Sequence, residues 1–121
     1  MPKRMRNRFD SIYSHGMIRV GVCLPSLRVA SPDFNLERTL VLARQASKAG
    51  VAVALFPELG LSAYTNDDLF HQDALLEATK GAVGRLVKAS EGLAPVLVVG
   101  APLQFEAKLF NCAVVIYRGR V

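Results

Sequence analysis

The sequence predicts an α/β domain built on a mixed β-sheet with flanking helices. Three observations carry this expectation. Short apolar runs rich in β-branched residues alternate with two long helical stretches. Hydrophobic residues make up 51% of the 121 positions against 21% charged, enough to build one packed core and too apolar for a disordered chain. The last two apolar runs are separated by a connection too short to hold a helix, which implies an antiparallel pair.

Residues 18–24 (IRVGVCL) are short and β-branched, and Pro25 closes them, so they read as a first strand. Residues 35–49 place Leu36, Leu40, Ala43 and Ser47 on one stripe, with Glu37, Arg38, Arg44 and Lys48 around it and Gly50 just beyond. That is an amphipathic helix with a glycine stop. The continuous apolar run 51–56 (VAVALF) predicts a strand covered on both faces. A helix over 69–90 follows, introduced by the carboxylates of Asp67 and Asp68 and weakened in the middle by Gly81 and Gly84. Residues 95–100 and 109–117 read as the third and fourth strands, joined through 104–108 as a hairpin. Residues 118–121 look like a turn and the first residue of a further strand, so the chain reads as the front part of something larger.

The formal charge of +5 is concentrated at one end. Lys3, Arg4, Arg6 and Arg8 leave residues 9–121 with 11 basic against 10 acidic side chains. A nucleic-acid binder needs a basic face on its folded body, and none is evident. Residues 1–12 are therefore expected to be a disordered basic leader, and 13–121 the folded unit. No apolar stretch follows the basic run, so it is not a secretory signal, and the apolar runs 51–56 and 95–102 are too short to cross a membrane. A cytoplasmic protein without nucleic-acid or membrane partners is expected.

The chemistry concentrates at residues 55–64 (LFPELGLSAY). Pro57 ends regular strand pairing, and Glu58 follows at the carboxyl end of the strand, the edge where ligand crevices form in open α/β sheets. Set between Phe56, Pro57, Leu59 and Leu61, the carboxylate is expected to be partly desolvated, which favours proton transfer. On these residues alone it reads either as a general base or as a structural carboxylate paired to a lysine or capping a helix.

The segment from Phe56 to Tyr64 resembles the surroundings of the catalytic glutamate in the nitrilase, or carbon–nitrogen hydrolase, superfamily. The run 66–72 (NDDLFHQ) and the front 13–20 (YSHGMIRV) are similar to the glutaminase domains of glutamine-dependent NAD synthetases, as are 95–101 and 109–120. The resemblance implies a nitrilase-like αββα sandwich, of which this chain would be about the first half. It also implies a Glu–Lys–Cys triad that hydrolyses the amide of glutamine. The ammonia released would pass to a C-terminal synthetase domain that uses ATP and Mg2+ to convert nicotinic acid adenine dinucleotide to NAD. Glu58 matches the triad's glutamate, and Tyr64 a tyrosine common near the substrate. The family's lysine and cysteine fall beyond Val121, so the 121 residues alone are expected to be inactive. A homo-oligomeric parent is expected, since the family's sandwiches associate through helical faces.

No other residue substitutes for the missing members. Cys23 and Cys112 fall within expected strands and read as buried, inert thiols, and Lys108 precedes the fourth strand where the family's lysine follows it. Asp67 and Asp68 lack the companions of a metal site, and His15 and His71 are isolated in sequence. No phosphate-binding glycine loop is present, so no cofactor is expected on this segment itself. The competing readings are another carbon–nitrogen hydrolase, an amidase or carbamoylase, and a non-catalytic assembly module.

Overall fold

Ser31-Pro32-Asp33 starts the first helix earlier than the apolar stripe implies, because proline's fixed φ suits the first helical turn and an acidic residue there meets the positive end of the helix dipole. The computed structural model describes residues 8–121 and shows this helix, α1, over Pro32–Lys48. Leu36, Leu40, Ala43 and Ala46 are buried, whereas Ser47 is only half-buried. Gly50 terminates the helix in the left-handed region (φ +72°). Its N–H donates to Ser47 O and the Val51 N–H donates to Ala46 O, the paired bonds of a glycine stop.

Among the described residues, four strands form one sheet in chain order: β1 (Val20–Val22), β2 (Val53–Leu55), β3 (Val96–Phe105) and β4 (Lys108–Ile116). The first three run parallel and β4 is antiparallel to β3, the mixed sheet the sequence predicts. The first two strands are shorter than their apolar runs, and the last two are longer at the hairpin. β3 runs on through Pro102 because β2 stops at Leu55 opposite Val98, leaving β3 a free edge where a missing N–H costs no ladder bond. The hairpin turn shrinks to Glu106-Ala107, both left-handed (φ +46° and +59°), without the Asn-Gly signature that would reveal it in sequence.

The second helical stretch divides. Asp67–His71 form a 3-10 turn, Gln72 is extended, and α2 occupies Asp73–Ala89. Asp67 and Asp68 thus open the short turn instead of the long helix, whose first turn carries Asp73. Leu36, Ala43 and Leu86 from the helices form one core with Ala54, Leu97 and Ile116 from the sheet. The run 51–56, expected to be covered on both faces, is covered on one. Ala54 and Phe56 are buried, but Leu55 between them is exposed, as are Val22 and Val115 in register with it and Val20 two residues before Val22.

The described end of the leader is not an extended tail. Arg8–Asp10 and Ile12–His15 form 3-10 turns, and the Tyr13 hydroxyl donates to Gly50 O at the end of α1. The remainder of the disorder expected for residues 1–12 lies outside the described residues. No helix among the described residues is long and apolar enough to cross a membrane.

Candidate active site

The Phe56 N–H makes the last bond of its strand, to Val98 O at 2.9 Å, before Pro57 interrupts the ladder. The chain then arches over Gly100 and rejoins β3 where the Leu61 N–H donates to Gly100 O at 3.1 Å. Glu58 sits on this arch. Only glycine fits beneath it: a Cβ on residue 100 would stand 2.3 Å from Leu59 N and 2.5 Å from Pro57 O. Within the arch, the Gly60 N–H donates to Pro57 O and the Ser62 N–H to Leu59 O, each at 3.1 Å.

Leu59 and Ala63 are left-handed (φ +53° and +67°), a conformation that costs a non-glycine residue about 1 kcal/mol or more and persists only where its surroundings impose it. Three buried polar side chains impose it. Asn35, on the first turn of α1, donates to Leu61 O (3.1 Å) and Arg28 O (2.9 Å) and accepts from Arg28 N (2.7 Å). Asn66 donates to Ser62 O (2.8 Å) and Ala63 O and accepts from Ala30 N (2.8 Å). The Ser62 hydroxyl donates back to its own loop, and no buried side-chain polar atom among the described residues lacks a partner.

The carboxylate contrasts with its support. Phe56 and Leu61 turn into the core, and the uncovered sheet face leaves Glu58 exposed, where the sequence implied partial desolvation. Its partner is Asn111 of β4, whose Nδ2 donates to Glu58 Oε1 at 2.5 Å. The two border an open cleft of about 370 Å3 walled by Leu55, Val98, Gly100 and Ala113. An exposed carboxylate with one oxygen held by an amide can accept a proton from a donor entering this cleft.

The remaining candidates are not gathered here. Tyr64 is 62% exposed and does not line the cleft. Cys23 lies just past β1, half-buried, and burial pushes its thiol up, which keeps it protonated and a poor nucleophile. Cys112 borders the cleft but pairs with the fully buried Ala101 and packs partly against the core; it is half-buried, not fully buried. Lys108 is the first residue of β4, exposed beside the hairpin turn. His15 Nε2 bonds to Phe9 O (2.8 Å), and His71 is exposed at the end of its 3-10 turn. Among the described residues, no group of three His, Cys, Asp or Glu side chains is placed to hold a metal ion.

Asn35, Asn66, Gly100 and Asn111 escape sequence reasoning. Of these only Asn111 leaves a direct signal, as the one amide inside the apolar strand run LFNCAVVIY.

Comparison with known proteins agrees with the geometry. Residues 19–120 match the carbon–nitrogen hydrolase family model. A glutamine-dependent NAD(+) synthetase of Mycobacterium leprae is 47% identical over 93% of this chain, which spans only 17% of that protein. A crystal structure of a glutamine-dependent NAD(+) synthetase from Cytophaga hutchinsonii shares the fold, with TM-score 0.78, 21% identity, and coverage of 85% of this chain and 17% of that one. The corresponding enzyme from Acinetobacter baumannii, solved with ADP, superposes with TM-score 0.73 at 30% identity over 83% of this chain and 19% of that one.

Proposed function

Because this chain belongs to the carbon–nitrogen hydrolase family, we propose that it builds part of the glutaminase centre of a glutamine-dependent NAD(+) synthetase. The 47% identity to a synthetase over nearly the whole chain is the observation that carries this reading. Glu58 is the proposed general base. It takes the proton from a cysteine thiol, and the thiolate attacks the amide carbon of glutamine. The C–N bond breaks, ammonia leaves with a proton returned by Glu58, and a thioester remains. Glu58 then takes a proton from water as the water attacks the thioester carbon; the C–S bond breaks to release glutamate, and Glu58 returns the proton to the departing thiolate. A lysine near the developing oxyanion stabilises both addition steps.

The cysteine and lysine are proposed to come from the rest of the full-length protein, of which this chain spans about a sixth in its relatives. Tyr64 is proposed as a glutamine contact reached from outside the described cleft. The ammonia feeds a C-terminal synthetase domain that uses ATP and Mg2+ to convert nicotinic acid adenine dinucleotide to NAD in the cytoplasm of the cell, within a homo-oligomer.

Glu58→Gln in the full-length protein carrying this chain tests the reading. Loss of a positioned general base costs about 10²–10⁴ in rate. NAD formation from glutamine collapses by that factor, while formation from ammonium continues at a separate site. Near-normal glutamine turnover by the variant removes Glu58 from the mechanism.

A further inference from the structure

The backbone and the carboxylate of Glu58 are controlled by different parts of the molecule. The arch over Gly100 fixes where the residue's Cα lies, but an exposed glutamate side chain keeps several rotatable bonds, and ordering it costs up to about 2 kcal/mol. Something on a rigid element must select the rotamer that points into the cleft. Among the described residues, one side chain donates to this carboxylate: Asn111.

Resting on the reading of Glu58 as the base, we propose that Asn111 is its positioning residue. Asn111 stands in the middle of β4, opposite Pro102, on a strand paired residue by residue with β3 from Leu97 to Phe105. Its donor therefore comes from a sheet and not from a mobile loop, the kind of support that holds a reacting group in productive geometry. The chemistry of the amide suits the task. It engages Oε1 and leaves Oε2 free to receive a proton. It carries no charge, so it orients the carboxylate without the strong electrostatic hold of a lysine or arginine, which would weaken a base. It has no basic atom of its own to compete for the proton.

The test uses three substitutions in the full-length protein carrying this chain: Asn111→Leu, which keeps the size and removes the donor; Asn111→Gln, which keeps a carboxamide; and Glu58→Gln as reference. Steady-state kinetics with glutamine are compared with ammonium-driven NAD formation. Misplacing a catalytic group by about an ångström costs up to about 100-fold. For Asn111→Leu, kcat with glutamine falls about 10-fold to 100-fold while KM stays within about threefold and the ammonium reaction is unchanged. Asn111→Gln recovers several-fold over the leucine variant. A leucine variant within twofold of wild type overturns the proposal, as does a glutamine variant no better than leucine, or a loss confined to KM. If Glu58→Gln abolishes glutamine turnover while Asn111→Leu does not, Glu58 remains the base and only the role of Asn111 falls. If Glu58→Gln leaves turnover intact, both fall.

Discussion

The underside of the Glu58 arch and its carboxylate tip are built on opposite principles. Below, Asn35, Ser62 and Asn66 are almost wholly enclosed with no buried polar atom left unpartnered, and Gly100 lets the strand touch the arch backbone to backbone. Above, Glu58 is exposed and holds one amide contact. Buried polar groups are costly to orphan, so the underside determines stability and placement. An exposed contact adds little to stability, so the tip can be adjusted for chemistry without endangering the fold. The difference teaches that position and orientation of the same residue are separable.

The sharpest way to break that separation is Gly100→Ala. The added methyl would need space already held by Leu59 N and Pro57 O, both backbone atoms that cannot rotate away. Overpacking of this kind costs about 1–3 kcal/mol, here at the upper end, and it acts on the arch itself. The expected outcome is loss of glutamine-driven turnover by about 100-fold or more, since the base moves by about an ångström, with ammonium-driven synthesis retained. Glutamine kinetics like those of wild type would mean that the arch tolerates displacement and that placement from below is unimportant.

Asn66→Ala is the next test. It removes the side-chain donors to Ser62 O and Ala63 O and the acceptor from Ala30 N; each of these groups keeps a second partner, so the loss is the net worth of three hydrogen bonds, about 2 kcal/mol in all. Hydrogen exchange reads the result locally: the Ser62 and Ala63 amides lose protection by about 30-fold, and those in the centre of β3 change little. Equal loss across β3 would show that the loop and sheet open as one unit.

These contacts also mark where sequence reading stops. The helix α1 and the two-parallel, one-antiparallel sheet are legible because each depends on local periodicity and on glycine or proline punctuation, as at Gly50 and Pro57. Glu58 is legible because it follows a strand end within a recognisable segment. The arch's supports are not, because their partners are distant: Asn35 reaches Leu61, and Asn66 reaches Ala30, across 26 and 36 residues. Gly100 looks like the end of a strand when it is the middle of one, since its role comes from what lies above it and not from its neighbours in sequence. The apolar run 51–56 misleads in the same way. A continuous hydrophobic strand signals two faces without polar residues, yet only the side bearing Ala54 and Phe56 is covered among the described residues.

The smallest expected effect belongs to the exposed ion pair between Arg85 of α2 and Asp33 of α1. It joins the two helices without touching the arch residues, and its side chains are 56% and 80% exposed. Such pairs are screened by salt and spend side-chain entropy to form, so they contribute about 0.2–1 kcal/mol. Arg85→Met keeps the aliphatic length and removes the charge. The protection of α1 and α2 amides against hydrogen exchange should change by less than about fivefold, and raising salt should shrink even that difference. Asn111→Leu should behave alike in this assay, because it too removes one exposed polar contact, while differing sharply in glutamine turnover. If Arg85→Met instead loosens both helices as much as Asn66→Ala loosens its loop, exposed polar contacts carry weight in this molecule. The kinetic effect at Asn111 would then have to be separated from a stability effect before orientation could be credited with it.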